Sequence, residues 1–187
     1  LNPMKPQSLE EHFESIQDFR RAEGRRYPLS KLLIIIVMAM MSGASGYREI
    51  ARFMRVNQRE LIDHLAWPRP QTPSYETLRT ILSNIDFNVL NQLFDQWMRQ
   101  VQTTSQADWI AIDGKAIRST VTDYCTASQN FVSMVSAFNQ RTGLVISQEA
   151  FENKKSDEVS VVITLIQKLN QQGLVFSLDA LHCKKNS

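Results

Sequence analysis

The chain has 187 residues, 43% of them hydrophobic and 21% charged, the balance of a globular protein long enough for one or two buried cores. Its formal net charge of +2 is too small to prove a nucleic-acid partner, and the slight excess is N-terminal: 13 Lys+Arg against 11 Asp+Glu over residues 1–104, and 8 against 8 over 105–187. Composition also excludes a zinc cluster, since Cys125 and Cys183 stand alone and read as reduced thiols, and a membrane span, since the run LLIIIVMAMM at 32–41 is ten residues where about 20 are needed.

The first hundred residues read as helices. Ser8 and Glu11 form a capping box, after which Leu9, Phe13, Ile16 and Phe19 follow at helical spacing. Arg20 and Arg21 fall in the last turn of that helix, and Gly24 stops it. Residues 29–41 form a buried helix, and residues 42–46 (SGASG) a turn. Residues 47–56 are helical with Ile50, Phe53 and Met54 inward. Residues 57–66 make a short helix with Asn57 and Glu60 as a cap pair. Pro68, Pro70 and Pro73 break the chain, and helices resume at 74–85 and 87–101. In the last of these, Leu90, Leu93, Phe94, Trp97, Met98 and Val101 make one apolar stripe.

Residues 102–107 (QTTSQA) are polar and uncharged, as in a linker, and beyond them the period changes from helix to strand. Strands are expected at 108–113, 130–138, 144–151 and 174–178. Residues 114–129 are an irregular stretch or a continuing ribbon, and NQRTG at 139–143 is a hairpin turn. A helix spans 157–170, with Val159, Val162, Ile163, Ile166 and Leu169 on its apolar side, and Gly173 ends the turn after it. The order is β-β-β-α-β. There is no apolar run after Lys5 to make a signal peptide; with no membrane span either, the chain is expected in the cytoplasm.

Two apolar runs each end in an aspartate: WIAIDGK at 109–115 and VFSLDA at 175–180. A strand, a helix and a second strand form a crossover that returns the chain parallel within one sheet. If the fourth strand lands beside the first, Asp113 and Asp179 sit on neighbouring strands about 4.8 Å apart. Carboxylates that close repel each other, and a divalent cation reverses the penalty. Mg²⁺ (or Mn²⁺) suits the pair, because it takes oxygen ligands and keeps waters for a substrate. Two such ions about 3.5–4 Å apart can activate a water or a 3′-hydroxyl and stabilise the leaving oxygen in phosphoryl transfer. The plainer readings are that Asp-Gly at 113–114 is a turn dipeptide and that Asp179 caps the segment after it.

The motifs are specific in combination. IAIDGKAIRS at 110–119 resembles the first-aspartate motif of insertion-sequence DDE transposases of the H-repeat-associated type. VSMVSAFNQRTGLVISQEAFENKKSDEV at 132–159 resembles their next block, and VFSLDALHCKK at 175–185 their second-aspartate strand. YREIARF at 47–53 and PSYETLR at 73–79 resemble the associated N-terminal domain. The resemblance implies an α+β protein: an all-helical domain over 1–104, then an incomplete RNase H-like α/β domain over 105–187 with a mixed sheet. It implies Mg²⁺-dependent cutting and joining of double-stranded DNA at transposon ends and target, with Asp113 and Asp179 as the first two catalytic, metal-holding acids and a homo-oligomer when complete. The third acid of the family, a glutamate on a later helix, has no match in these residues. The chain alone is therefore expected to be inactive, with apolar surface uncovered and one sheet edge open. A frameshift near Lys184-Lys185-Asn186 would account for that. Glu158 is not a substitute, because it precedes the fourth strand; it could help position the site, but a helix-start acid favoured by the dipole is the simpler account.

Other residues carry weaker signals. Arg48, Arg52, Arg55 and Arg59 recur at spacings of four, three and four. They form a basic stripe for phosphate contact if the helix runs past Asn57, or else a solvated face interleaved with Glu49 and Glu60. Helix, glycine turn and helix at 29–57 resemble a helix-turn-helix with an over-long turn. Arg20, Arg21, Arg25 and Arg26 form a second cluster. Lys115 and Arg118 could bind the scissile backbone or simply face water. His182 reads as a surface residue, and His12 and His64 lie on helices with nothing to set them apart. A non-catalytic DNA-binding remnant that recognises element ends is the alternative function, and another RNase H-like nuclease a third.

Overall fold

Two hydrophobic cores form from non-overlapping stretches of the chain, one from Phe13 to Ile81 and one from Ile110 to Leu165. The computed structural model describes residues 7–101, 107–122, 129–170 and 172–178, apart from the side chains of Arg118 and Thr122. The chain divides into two compact units, Leu1–Leu93 and Phe94–Ser187. The first is helical and the second is built on a mixed sheet, an α+β arrangement.

Helix α1 (Leu9–Glu14) starts at the expected capping box: Ser8 Oγ accepts from Glu11 N at 3.2 Å, and Glu11 Oε2 accepts from Ser8 N at 2.6 Å. It ends ten residues before the expected stop at Gly24. The Ser15 hydroxyl donates to His12 O at 2.7 Å, and Asp18 folds the next segment by accepting from Arg20 N (3.0 Å), Nε (2.9 Å) and Nη2 (2.7 Å). Local side-chain bonds of this kind compete with helix. Arg20 and Arg21 therefore lie outside α1, and Ala22–Gly24 is a single 3-10 turn.

Helix α2 (Leu29–Met41) is the apolar run, with Leu32, Ile35 and Ala39 wholly buried. After the turn, where Gly43 takes a φ of +94°, come α3 (Tyr47–Val56) and α4 (Gln58–Leu65). Ile50 and Met54 of α3 are buried, while Phe53 is half-buried. The expected Asn57–Glu60 cap pair does not form. Asn57 has φ −96° and ψ 19°, not an extended cap conformation, and its amide donates back to Phe53 O at 2.8 Å. Lys31 closes the far end of α4, donating to Leu65 O at 2.5 Å and Ala66 O at 3.1 Å, as cations do at helix C-termini. Trp67 stacks on Tyr27 with centroids 4.9 Å apart. Helix α5 (Tyr75–Asn84) is capped by Ser74, and α6 (Phe87–Val101) carries the division between the units.

The sheet runs β3-β2-β1-β4, from β1 (Trp109–Thr122), β2 (Asn130–Asn139), β3 (Leu144–Glu152) and β4 (Val175–Leu178). The pairs β1–β2 and β2–β3 are antiparallel, and β1–β4 is parallel. The first strand does not stop at Asp113: β2 pairs with it through Ile117↔Val132, so the ribbon reading of the following residues holds to Thr122. Helix α7 (Glu158–Leu169) joins β3 to β4. Asp157 caps it, accepting from Ser160 N at 2.9 Å, and Asn170 ends it in the left-handed region. Its buried positions are Val162 and Leu165, whereas Val159 and Ile163, expected inward, are exposed at 43% and 51%.

Ion pairs tie the elements of the second unit together. Asp95 of α6 is 3% exposed; it accepts from Ser147 Oγ of β3 at 3.0 Å and pairs with Lys168 of α7, which also bonds Glu149 Oε1 at 2.6 Å. Burial disfavours the Lys168 charge, but the hydrogen bonds to Asp95 and Glu149 outweigh it and raise its pKa above the usual lysine value. At the C-terminal half of β1, the Glu158 carboxylate lies so close to Gly114 that a Cβ there would meet Oε1 at 1.8 Å. A side chain at 114 requires Glu158 to turn away.

Three outcomes test these contacts. Asp95→Ala leaves Lys168 without its buried partner and should cost about 3 kcal/mol, read by urea unfolding; a loss under about 0.5 kcal/mol would refute the pairing. Gly114→Ala and Glu158→Ala should each cost little, and their costs in the double variant should not add, because both displace one carboxylate; strict additivity would count against the contact. The Arg20 hydrogen bond holds the Asp18 carboxyl below the usual aspartate range despite burial. Its stabilisation is therefore present above the unfolded pKa of about 3.9 and lost as pH falls through the lower folded value. The thermal midpoint gap between wild type and Asp18→Asn should be wider at pH 7 than at pH 2.5, and a gap independent of pH would contradict it.

Candidate active site

Alternation along β1 fixes where Asp113 can point. Ile110 (0% exposed) and Ile112 (4%) are buried in the core with Val162 and Leu165 of α7. Successive side chains of a strand point to opposite faces, so Trp109, Ala111, Asp113 and Lys115 share the other face. Asp113, Lys115 and Trp109 are exposed accordingly. Gly114 falls on the α7 face, where the Glu158 carboxylate meets it. Asp113 and Glu158 are neighbours through the strand yet lie on opposite sides of the sheet.

One of the plainer readings can now be replaced. Asp113-Gly114 is not a turn, because both residues pair within the ladder, Asp113↔Ser136 and Gly114↔Val135. The reading of Glu158 as an acid at a helix start holds, since it lies in the first turn of α7 after the Asp157 cap; its carboxylate also reaches Gly114 of β1.

The parallel pair sets the register of the strand ends. Trp109 faces Val175, Ile110 faces Phe176, Ala111 faces Ser177 and Ile112 faces Leu178. The last described pair is therefore formed by the residues immediately before Asp113 and Asp179. Asp179 itself lies outside the described residues, as do His182, Cys125 and Cys183. Among the described residues no group of three or more His, Cys, Asp or Glu gathers as a metal cluster. Asp113 supplies one exposed oxygen donor of the kind Mg²⁺ takes. Lys115 is exposed two residues beyond it, and the Arg118 side chain is outside the description.

The opposite end of β1 is held by a group that sequence reading missed. Asp108 is 5% exposed and accepts from Arg141 Nε at 2.6 Å and Nη2 at 2.9 Å, and from Asn139 Nδ2 at 3.0 Å. The fork-shaped guanidinium on a carboxylate is a strong, oriented pairing. The hydrogen bond to Asp108 raises the Arg141 pKa. Asn139 Oδ1 in turn accepts from Arg141 N at 2.9 Å and Thr142 N at 3.2 Å. The NQRTG turn is thereby tied to the start of β1.

In the helical unit, Arg48, Arg52 and Arg55 are exposed along α3. The expected stripe breaks at Asn57, which leaves Arg59 on α4. Arg48 sits over the Tyr75 ring at 5.1 Å. Arg48, Ala51 and Arg55 line one open groove with Thr72, Pro73, Ser74 and Tyr75. In the second cluster, Arg20 and Arg25 are turned inward on Asp18 and on backbone carbonyls. His12 is buried, with Nδ1 2.9 Å from Ser8 O. Among the described residues no helix is long and apolar enough to cross a membrane.

Comparison with known proteins agrees with this division. Residues 10–98, nearly all within the helical unit, match the family described as DDE_Tnp_1-associated. The chain is 29% identical over 98% of its length to "Putative transposase YncI" of Escherichia coli O157:H7, covering 46% of that protein. It is 28% identical over 98% of its length to "H repeat-associated putative transposase YhhI" of Escherichia coli strain K12, covering 47%. "Putative protein YbfL" of the same strain matches at 28% with the same coverage. The chain thus spans about half the length of the curated relatives it matches. A transposase-associated helical segment and putative-transposase relatives along almost all of its residues support a transposase of the H repeat-associated type.

Proposed function

We propose that this chain carries the first two metal-holding carboxylates, Asp113 and Asp179, of a transposase with an RNase H-like core. The observation that carries the reading is the parallel pairing of Ile112 with Leu178, which brings the strands leading to both aspartates side by side. The strand order β3-β2-β1-β4, with one helix between β3 and β4, supports the RNase H-like assignment. In this reading Asp113 offers a carboxylate from the face opposite α7, and Lys115 stands next to it as a cation for substrate phosphate. When bound, Mg²⁺ supplies the Lewis acidity that activates the attacking oxygen and stabilises the leaving one in phosphodiester cleavage and joining. The work of the protein in full is then cutting and joining DNA at the ends of an insertion sequence. A second reading, binding of element ends without cutting, is favoured by the exposed arginines of α3.

Mn²⁺ titration of the whole chain, followed by electron paramagnetic resonance, tests the metal site. Asp113→Asn should weaken binding at least tenfold, since one of two anionic ligands is lost. Equal affinity in wild type and Asp113→Asn would remove Asp113 from any metal site.

A further inference from the structure

We infer that Glu158 is a positioning residue for the Asp113 cation site: seated on Gly114 from the α7 side, its carboxylate strengthens cation binding by its charge, without ligating the ion. The inference rests on the metal reading of Asp113 proposed above. Gly114 has no side chain, and the three heavy atoms that a Cβ there would meet first all belong to Glu158: Oε1 at 1.8 Å, Cδ at 2.7 Å and Oε2 at 3.4 Å. The carboxylate thus fills the place of the side chain that position 114 lacks. Strand β1 carries acids at two consecutive positions, its own at Asp113 and one lent by α7 at Gly114.

Local structure holds the lent acid in place. Asp157 caps α7 by accepting from Ser160 N at 2.9 Å and Ser160 Oγ at 2.6 Å, so Glu158 falls in the first turn, where the helix dipole favours a negative charge. Glu158 is half-buried between exposed Asp157 and Val159, and Val135, the β2 partner of Gly114, is wholly buried on the same face. Room for an ion lies along the same stretch of β1. An open cavity of about 580 Å³ is lined by Gly114, Lys115, Ala116 and Ile117, where six waters around a cation need about 180 Å³. The two acids differ in what they can do. Asp113 stands on the open face and can touch an ion there, whereas Glu158 is held on the α7 face and acts only through its field. Successive residues of a strand are about 3.3 Å apart along its axis, so the Glu158 charge lies within about 10 Å of such an ion, the screening length at 0.1 M salt. In water a unit charge at about 6–10 Å changes the affinity for a divalent cation by about three- to tenfold.

Mn²⁺ titration of the whole chain by electron paramagnetic resonance, at low and at high salt, tests the inference. Glu158→Gln keeps the shape of the side chain and removes its charge. It should weaken Mn²⁺ binding by about three- to tenfold at low salt and by less than about twofold near 1 M salt, where the screening length falls to about 3 Å. A packing role would be met by glutamine and would not depend on salt. Gly114→Ala should also weaken binding at low salt, because the carboxylate must turn away, and adding it to Glu158→Gln should cause no further loss. Asp157→Ser removes an equal charge from the capping position while keeping a cap, and should change affinity less than Glu158→Gln. Circular dichroism checks folding; should Glu158→Gln fail to fold, Gly114→Ala carries the test. Wild-type affinity in folded Glu158→Gln at low salt, an undiminished loss at high salt, or an equal loss in Asp157→Ser would overturn the inference. In each of those cases a tenfold loss in Asp113→Asn would leave the metal reading standing. Equal affinity in wild type and Asp113→Asn would remove both.

Discussion

The burial of Ile110 and Ile112 against α7 is the constraint on which the candidate site depends. A strand cannot bury two alternate residues on one face without turning the intervening ones to the other. Once those isoleucines enter the core, Asp113 is committed to the uncovered face together with Trp109 and Lys115. A slip of one residue would bury the carboxylate in an apolar core at a cost of several kcal/mol, while exposing both isoleucines. The register that makes the core is therefore the register that presents the acid.

Charged contacts then fix β1 at both ends of its buried stretch. At its start, buried Asp108 takes two hydrogen bonds from Arg141 and one from Asn139, which links β1 to the β2–β3 turn. Next to Asp113, the Glu158 carboxylate closes on Gly114 from the α7 side. A third contact, Asp95–Lys168–Glu149, joins the second half of α6 to α7 and β3. Exposed ion pairs contribute little to stability, whereas desolvated ones are strongly directional and expensive to break. Asp95 and Asp108 belong to the second kind, at 3% and 5% exposure. Their role is to hold a small sheet in one register, so that the acid on its open face keeps a defined position.

Much of this was legible in the residues. The bounds of β2, β3, β4 and α7 follow from alternation, the NQRTG turn and the caps Asp157 and Asn170, and all fall within one residue of expectation. The sidedness of Asp113 is implicit in the alternation of Trp-Ile-Ala-Ile-Asp. What failed was governed by contacts that periodicity does not encode. The spacing of Leu9, Phe13, Ile16 and Phe19 is helical, yet Ser15 and Asp18 take the backbone elsewhere. Asn57 looked like a cap, but its amide found a carbonyl of the preceding helix instead. Asp108 and Arg141 are 33 residues apart and meet only in the folded sheet. Asp95 was overlooked beside an apolar stripe, although Asn91, Asp95 and Met98 recur at helical spacing and are all buried. Residues 113–114 stayed open between a turn and a continuing ribbon, because the close approach of Glu158 to Gly114 leaves no local mark.

The openness of the Asp113 face bears on how a carboxylate pair there would behave. Trp109, Phe138 and Val175 share that face by register and are 54%, 39% and 38% exposed. Two unit charges about 5 Å apart repel by about 1 kcal/mol in water, and by about 3–4 kcal/mol at the effective dielectric of about 20 met near protein surfaces. For the proposed Asp113–Asp179 pair the difference is decisive. Facing water, the two carboxylates coexist with little strain, and a cation gains correspondingly little by bridging them. Covered by apolar polypeptide, which Trp109, Phe138 and Val175 would favour, the same two groups repel strongly, and cation binding relieves that repulsion. The metal affinity of such a site therefore rises with the burial of this face. The strength of the proposed site is set as much by what packs on Trp109 as by the carboxylates themselves.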